Sequence, residues 1–320
     1  MATTSPQTPL GSGFDATSTA SDVLAGVDLS GRTAIVTGGY SGIGLETTRA
    51  LAAAGASVLV PARRREAAEE ALQGWEGVEV DELDLADLDS VRAFAQRVLE
   101  SGRAVDMVIN SAGVMATPET RVGPGWELQL AANHLGHFAL VNRIRAALAD
   151  GARVVAVSSR GHHFSGFRWQ DPMFEREPYD KWLAYGQSKT ANVLFAVQLD
   201  TLARDRGVRA FALHPGTIIT PLLRHMTEED VEQRSAPDDE GRSMTTNMKS
   251  PEQGAATQVW AATSPALDGL GGVYLQDCDI AVPAPDDGER TGVKDWAVDA
   301  EQAARLWELS AELTGVDSFS

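Results

Sequence analysis

Tyr185 and Lys189 stand four residues apart in Tyr-Gly-Gln-Ser-Lys, a spacing that puts both side chains on one face of a helix. An ammonium beside a phenol stabilises the phenolate and draws a tyrosine's pKa from about 10 toward neutrality. A tyrosine so placed can give a proton to a carbonyl oxygen, or take one from an alcohol, near working pH. Upstream, Ser158 and Ser159 close an apolar run at 153–157 and offer hydroxyl donors of equal chemical quality. Either serine could equally be a turn residue at a strand end.

A second chemical signal lies near the start of the chain. The apolar run Thr33-Ala34-Ile35-Val36-Thr37 leads into Gly38-Gly39-Tyr40-Ser41-Gly42-Ile43-Gly44, and a helical segment follows. Glycines in that context permit a tight turn and let a pyrophosphate approach the main chain, while the helix start offers free N–H groups. The spacing is Gly-x-x-x-Gly-x-Gly rather than the commoner Gly-x-Gly-x-x-Gly; alone, it could be a plain turn. The next apolar run ends Pro61-Ala62-Arg63-Arg64-Arg65. An NAD-selective site places a carboxylate here, about 20 residues after the glycines, for the ribose 2′-OH. Ala62 stands there instead, backed by arginines that suit a 2′-phosphate. NADP(H) is therefore the expected cofactor, held by Arg63 first and Arg64 beside it, with NAD(H) the lesser option. The alternative, a solvated basic helix start, runs against the helix dipole.

These residues need a scaffold, and the chain has the rhythm of one. Short apolar, largely β-branched runs recur at 33–37, 57–61, 77–81, 105–109, 153–157 and 208–213, with a last strand at 272–275. Helical segments are predicted at 43–54, 64–73, 87–101, 126–149, 180–205 and 299–314. Strands alternating with helices imply an α/β fold: one domain with a Rossmann-type doubly wound parallel sheet covered by helices on both faces. Residues 1–28 form an N-terminal arm, loose over the Ser/Thr/Gly/Pro-rich first 18, with a short helix over 19–27 capped by Thr19 or Ser21. The domain itself runs 29–320.

Composition narrows the function classes. The 320 residues, 43% hydrophobic and 22% charged, are enough to bury a large core. A net charge of −18 argues against a nucleic-acid partner, since phosphate recognition wants a basic surface. The single Cys278 rules out an internal disulfide and zinc sites built on paired cysteines, and suits a reducing, cytoplasmic compartment. No His-Glu-x-x-His motif occurs, so no catalytic metal is expected. No apolar run is long enough to span a membrane, and no secretory signal pattern opens the chain.

Five motifs in order carry a resemblance to the short-chain dehydrogenase/reductase family over about residues 30–285. They are Thr37-Gly-Gly-Tyr-Ser-Gly-Ile-Gly44; Asp84-Leu85; Asn110-Ser-Ala-Gly113; Ser158-Ser159 with Tyr185 and Lys189; and Pro215-Gly216 with Thr220. Asn133-His-Leu-Gly-His-Phe138 and Ser158-Ser-Arg-Gly-His-His163 make the chain look most like the retinol-dehydrogenase and WW-domain-oxidoreductase branch.

The resemblance implies roles. Tyr185 would be the general acid/base, Lys189 would hold the nicotinamide ribose, and Ser159 rather than Ser158 would orient the substrate oxygen. Asn133 would fix a proton-relaying water. Asp84 and Leu85 would meet the adenine, while Asn110, Ala112 and Gly113 would shape the cofactor loop. Pro215, Gly216, Ile218 and Thr220 would line the nicotinamide. His134 and His137 are expected to be packing or surface residues. The substrate would be an apolar ketone, aldehyde or alcohol. Family members often pair through two long helices, here 126–149 and 180–205, which leaves a homodimer or homotetramer open.

Ser159 and Tyr185 are 26 residues apart, roughly double the family's usual spacing. The insertion carries His162, His163, Phe164, Phe167, Trp169, Met173, Phe174, Tyr179 and Trp182. It could wall an apolar substrate pocket or pack on itself. Residues 221–250, with Met226, Met244 and Met248, are expected to act as a substrate lid; a disordered insertion is the alternative. Two competing functions share the fold: reduction of a C=C bond, as in the light-dependent protochlorophyllide reductases, and cofactor sensing without useful turnover. The Ser-Tyr-Lys set argues against the sensor, which has no need of it.

Overall fold

The structure, a computed structural model, describes residues 6–235, 248–285 and 291–320. Eight strands form one sheet: β1 (Thr33–Thr37), β2 (Ser57–Ala62), β3 (Val78–Glu82), β4 (Val105–Asn110), β5 (Leu148–Val157), β6 (Arg209–His214), β7 (Val273–Gln276) and β8 (Asp279–Ile280). Their spatial order is β8-β7-β6-β5-β4-β1-β2-β3, parallel except for the β7–β8 hairpin. The order reverses between β1 and β4. Open α/β sheets form a crevice at such a switch point, beyond the carboxyl ends of the strands.

Helices cover both faces because the strands are apolar on both. On one side, α1 (Gly42–Ala53) packs with a later helix, Pro251–Thr263, against Val36, Val58, Phe211 and Leu275. On the other lie α2 (Leu88–Glu100), α3 (Gly136–Arg143), α4 (Lys181–Ala203) and the terminal helix Ala300–Thr314. Trp307 ties this layer together, its ring 4.7 Å from that of Phe138 and stacked 5.9 Å from that of Phe195.

Three sequence expectations change. The long helix expected over 126–149 is broken. Trp126–Glu127 pairs with Arg121–Val122, and Glu127 caps the next turn by accepting from the N–H groups of Gln129 and Leu130. A five-residue π turn, Ala131–Leu135, then leads into α3, and β5 already begins at Leu148. Pro251–Thr263 is a helix that the apolar periodicity misses, because it is buried all round. Its signal was present: Ser250 and Gln253 form a capping box with Pro251 at the first helical position. The arm expected to be loose is tied down where it is described. Gln7 donates to the carbonyls of Tyr274 and Ala281 (both 2.6 Å) and accepts from the Tyr274 N–H, as a peptide group would. Asp279 accepts from the N–H groups of Leu10 and Gly11. Thr19 does cap the short helix, at Ala20–Val23. Residues 1–5 and 236–247, including part of the expected lid, lie outside the described residues.

Gly136 shows how tightly the helical layer meets the sheet ends. A Cβ there would collide with the Leu85 carbonyl, main chain that cannot swing aside. Gly136→Ala is expected to destabilise the protein by about 1–3 kcal/mol, measured by urea denaturation, and to displace the Leu85 loop.

Candidate active site

A cleft of about 1620 Å³ opens at the switch point. Its platform is α4, whose Asp180 cap accepts from the N–H groups of Trp182 and Leu183. From Ala184 to Val197 every residue of α4 is buried, so Tyr185 and Lys189 are held by packing on all other faces. Both reach the cleft. The Lys189 ammonium donates to the Val157 carbonyl (3.0 Å) and lies 5.6 Å from the centre of the Tyr185 ring. Burial favours its neutral form and pushes its pKa down to about 8.

The two serines separate cleanly. Ser158 is buried and donates to the Lys189 carbonyl at 2.8 Å, pinning β5 to α4. Ser159 is half-buried on the cleft wall and accepts from the Gly161 N–H at 3.0 Å, which leaves its own hydroxyl proton available.

Two residues named from the resemblance lie off the cleft. Asn133, in the π turn, is fully buried. Its amide accepts from the Val114 N–H (2.8 Å) and donates to the Val114 carbonyl (3.0 Å) and to Ser188 Oγ (2.9 Å). The side chain of Asn133 thus clamps the loop after β4. Asn110 is buried at the end of β4, and neither side-chain amide atom has a partner among the described residues. His137 supports the same loop, bridging the Asn133 carbonyl (3.0 Å) and the Thr37 hydroxyl (2.9 Å), which accepts from the Ala112 N–H. Burial pushes His137 down to about 4, so it sits there neutral. His134 is likewise buried, against Ser310.

The remaining expected residues all face the cleft. No side chain caps the start of α1, so the helix end is open beside Tyr40, Ser41, Gly42 and Ile43. At Gly44 a Cβ would strike the Gly38 carbonyl, so the loop can fold this tightly only with glycine. Ala62 is buried at the end of β2; Arg63 and Arg64 are exposed beyond it and make no ion pair among the described residues. Asp84 spends one carboxylate oxygen on the Ala86 N–H (2.9 Å) and faces the cleft with Leu85. Gly38, Ala112 and Gly113 line the cleft, as do Pro215, Gly216, Ile218 and Thr220. The Thr220 hydroxyl also accepts from the Leu222 N–H, capping the turn Pro221–His225. An open helix start, a glycine-tight loop and two unpaired guanidiniums fit an extended dinucleotide with phosphate at both places.

The other end of the cleft is apolar. Met115, Trp182, Leu222, Leu223 and Met226 surround Tyr185. The aromatic insertion divides between the two roles expected of it. His163, Phe164 and Trp182 line the cleft. Phe167, Trp169 and Met173 instead pack on the terminal helix, and the Tyr179 hydroxyl donates to Glu127. Sequence reasoning missed Met115, which sits in an irregular segment without periodicity, and placed Leu222 and Leu223 only within the expected lid, without singling them out. It also missed Gln258, which reaches from Pro251–Thr263 to donate to the Ile43 carbonyl at 3.3 Å.

Among the described residues no helix is long and apolar enough to cross a membrane. The family model for short chain dehydrogenases matches residues 32–231. A probable oxidoreductase of Streptomyces lividans is 46% identical, over 89% of this chain and 98% of its own length. Human retinol dehydrogenase 12 is 35% identical, over 91% of this chain and 88% of its own. Among solved structures, a Mycobacterium paratuberculosis protein superimposes with a TM-score of 0.73 at 35% identity, covering 95% of this chain and 99% of that one. The NADP complex of Pseudomonas aeruginosa RhlG does so with a TM-score of 0.60 at 26% identity, covering 78% and 95%. The chain belongs to the short-chain dehydrogenase/reductase family of oxidoreductases, near its retinol-dehydrogenase branch.

Proposed function

We propose that this protein interconverts a carbonyl and an alcohol on an apolar small molecule with NADP(H). The observation that carries this reading is the placement of Tyr185. Its ring lies between the Lys189 ammonium and an apolar chamber, in one cleft with the glycine loop and Arg63. The RhlG structure was solved with NADP, which supports the same cofactor here. When bound, that cofactor supplies the hydride.

The chain's own residues do the rest. Ser159 directs its hydroxyl at the substrate oxygen, where negative charge builds as a carbonyl is reduced. Tyr185 delivers the proton to that oxygen, or removes it in the reverse direction. Lys189 stabilises the phenolate that remains. Met115, Trp182 and Leu223 exclude water and select an apolar substrate body. The segment from Pro221 serves as the lid over that chamber.

Tyr185→Phe is expected to lower kcat by about 10²–10⁴-fold while NADPH still binds, as followed by nicotinamide fluorescence. Retained turnover would sink the acid/base assignment, and a wild-type protein that binds NADPH but reduces no carbonyl would point to a sensor. Arg63→Ala should weaken NADPH binding by about tenfold or more, with NADH binding unchanged; an equal effect on both cofactors would refute the 2′-phosphate contact. Lys189 gives a pH signature. Below pH 8 its ammonium is charged folded and unfolded, and burying it costs stability. Between about 8 and the ordinary 10.5 the unfolded chain holds a proton that the folded chain has released, so stability from this group rises with pH. Lys189→Met should therefore be inactive yet melt at a higher temperature than the wild type at pH 7, with the gain shrinking toward pH 10. An equal gain at both pH values would contradict a buried ammonium.

A further inference from the structure

His162 is fully buried directly behind Ser159, and neither ring nitrogen is idle. Nε2 accepts from the Lys294 N–H at 3.2 Å. A nitrogen that accepts cannot carry the ring proton, so the proton sits on Nδ1. Nδ1 is 2.7 Å from the Ser159 carbonyl, which also accepts from the His162 main-chain N–H at 3.1 Å. The ring is wedged 5.0 Å from Tyr274 and 4.3 Å from His163. Burial pushes its pKa down to about 3, so the ring is neutral across the working range.

The far side of the same turn has no slack. A Cβ on Gly161 would lie 2.6 Å from Cε1 of Tyr185, so the Tyr185 ring lies directly against the turn. The His162 carbonyl accepts from Thr190, next to Lys189 in α4. The turn from Ser159 to His162 is therefore held between the ring of the acid/base and the ring of His162.

We propose that His162 is a positioning residue for Ser159, gripping its carbonyl so that its hydroxyl and that of Tyr185 converge on one substrate oxygen. This rests on the role given to Ser159 above. His162 does not touch substrate, and its imidazole takes no part in proton transfer.

Two variants separate the grip from general packing. His162→Asn places an amide N–H near the position of Nδ1 and keeps the donor to Ser159; His162→Gln reaches toward Nε2 and loses it. The assay is NADPH-dependent reduction of p-nitrobenzaldehyde, with NADPH affinity measured by fluorescence and Ser159→Ala as reference. His162→Asn should keep kcat within about threefold, and His162→Gln should lose about tenfold or more, with NADPH affinity within about twofold of wild type for both. Imidazole ¹⁵N shifts of the wild type should show the Nδ1–H tautomer from pH 6 to 9. Equal activity of the two variants, loss of NADPH binding in either, or an Nε2–H tautomer would overturn the proposal while leaving the reductase reading intact. Full activity of Ser159→Ala would overturn the role of Ser159 and the grip with it.

Discussion

An ammonium removed from water needs oxygen atoms close by, and Lys189 finds one at the Val157 carbonyl, where the central strand β5 ends. That single requirement orders much of the molecule. β5 must stop where it does, α4 must cross its end with Lys189 facing it, and Ser158 must bind back to the Lys189 carbonyl to hold the two together. Tyr185, one turn earlier on the same helix, then falls into place beside the cleft. Val114 and Gly113, clamped by Asn133, close the opposite side, so that a Gly113 Cβ would sit 3.6 Å from the ammonium. The charge is costly to bury, and the same burial sets it 5.6 Å from the centre of the Tyr185 ring.

The fold was legible where periodicity is strong. Apart from β5, which starts five residues early at Leu148, and the unexpected two-residue β8, the strands and α4 stand within a residue or two of their expected places, because β-branched runs and a long buried helix leave little choice. Legibility failed where the chain uses local chemistry instead. Glu127 ends a helical pattern early by capping it from inside, and the π turn shifts the register so that Asn133 turns toward Val114. Gln7 behaves as a peptide group, which no composition argument on a Ser/Thr/Pro-rich arm would suggest.

The candidate site shows the same division. The glycine loop, Arg63, Tyr185 and Lys189 announce themselves through spacing tied to a regular element. The difference between Ser158 and Ser159 does not, since two adjacent hydroxyls are chemically alike; only their partners set them apart, the Lys189 carbonyl for Ser158 and the Gly161 N–H for Ser159. The apolar chamber is the least legible part. Met115 comes from the loop after β4 and Leu223 and Met226 from the turn at Pro221–His225, two stretches that meet only in three dimensions.

The clamp formed by Gln7 has a consequence for the sheet as a surface. An edge strand presents unpaired main-chain groups that invite another chain to add to it. Here β8 is only two residues long; past its end Gln7 meets the Tyr274 main chain of β7 and the Ala281 carbonyl, and the Asp279 carboxylate holds the Leu10 and Gly11 N–H groups beside it. The arm thus acts as a cover sewn onto the selvedge of the sheet. A foreign strand approaching this side would meet the arm first.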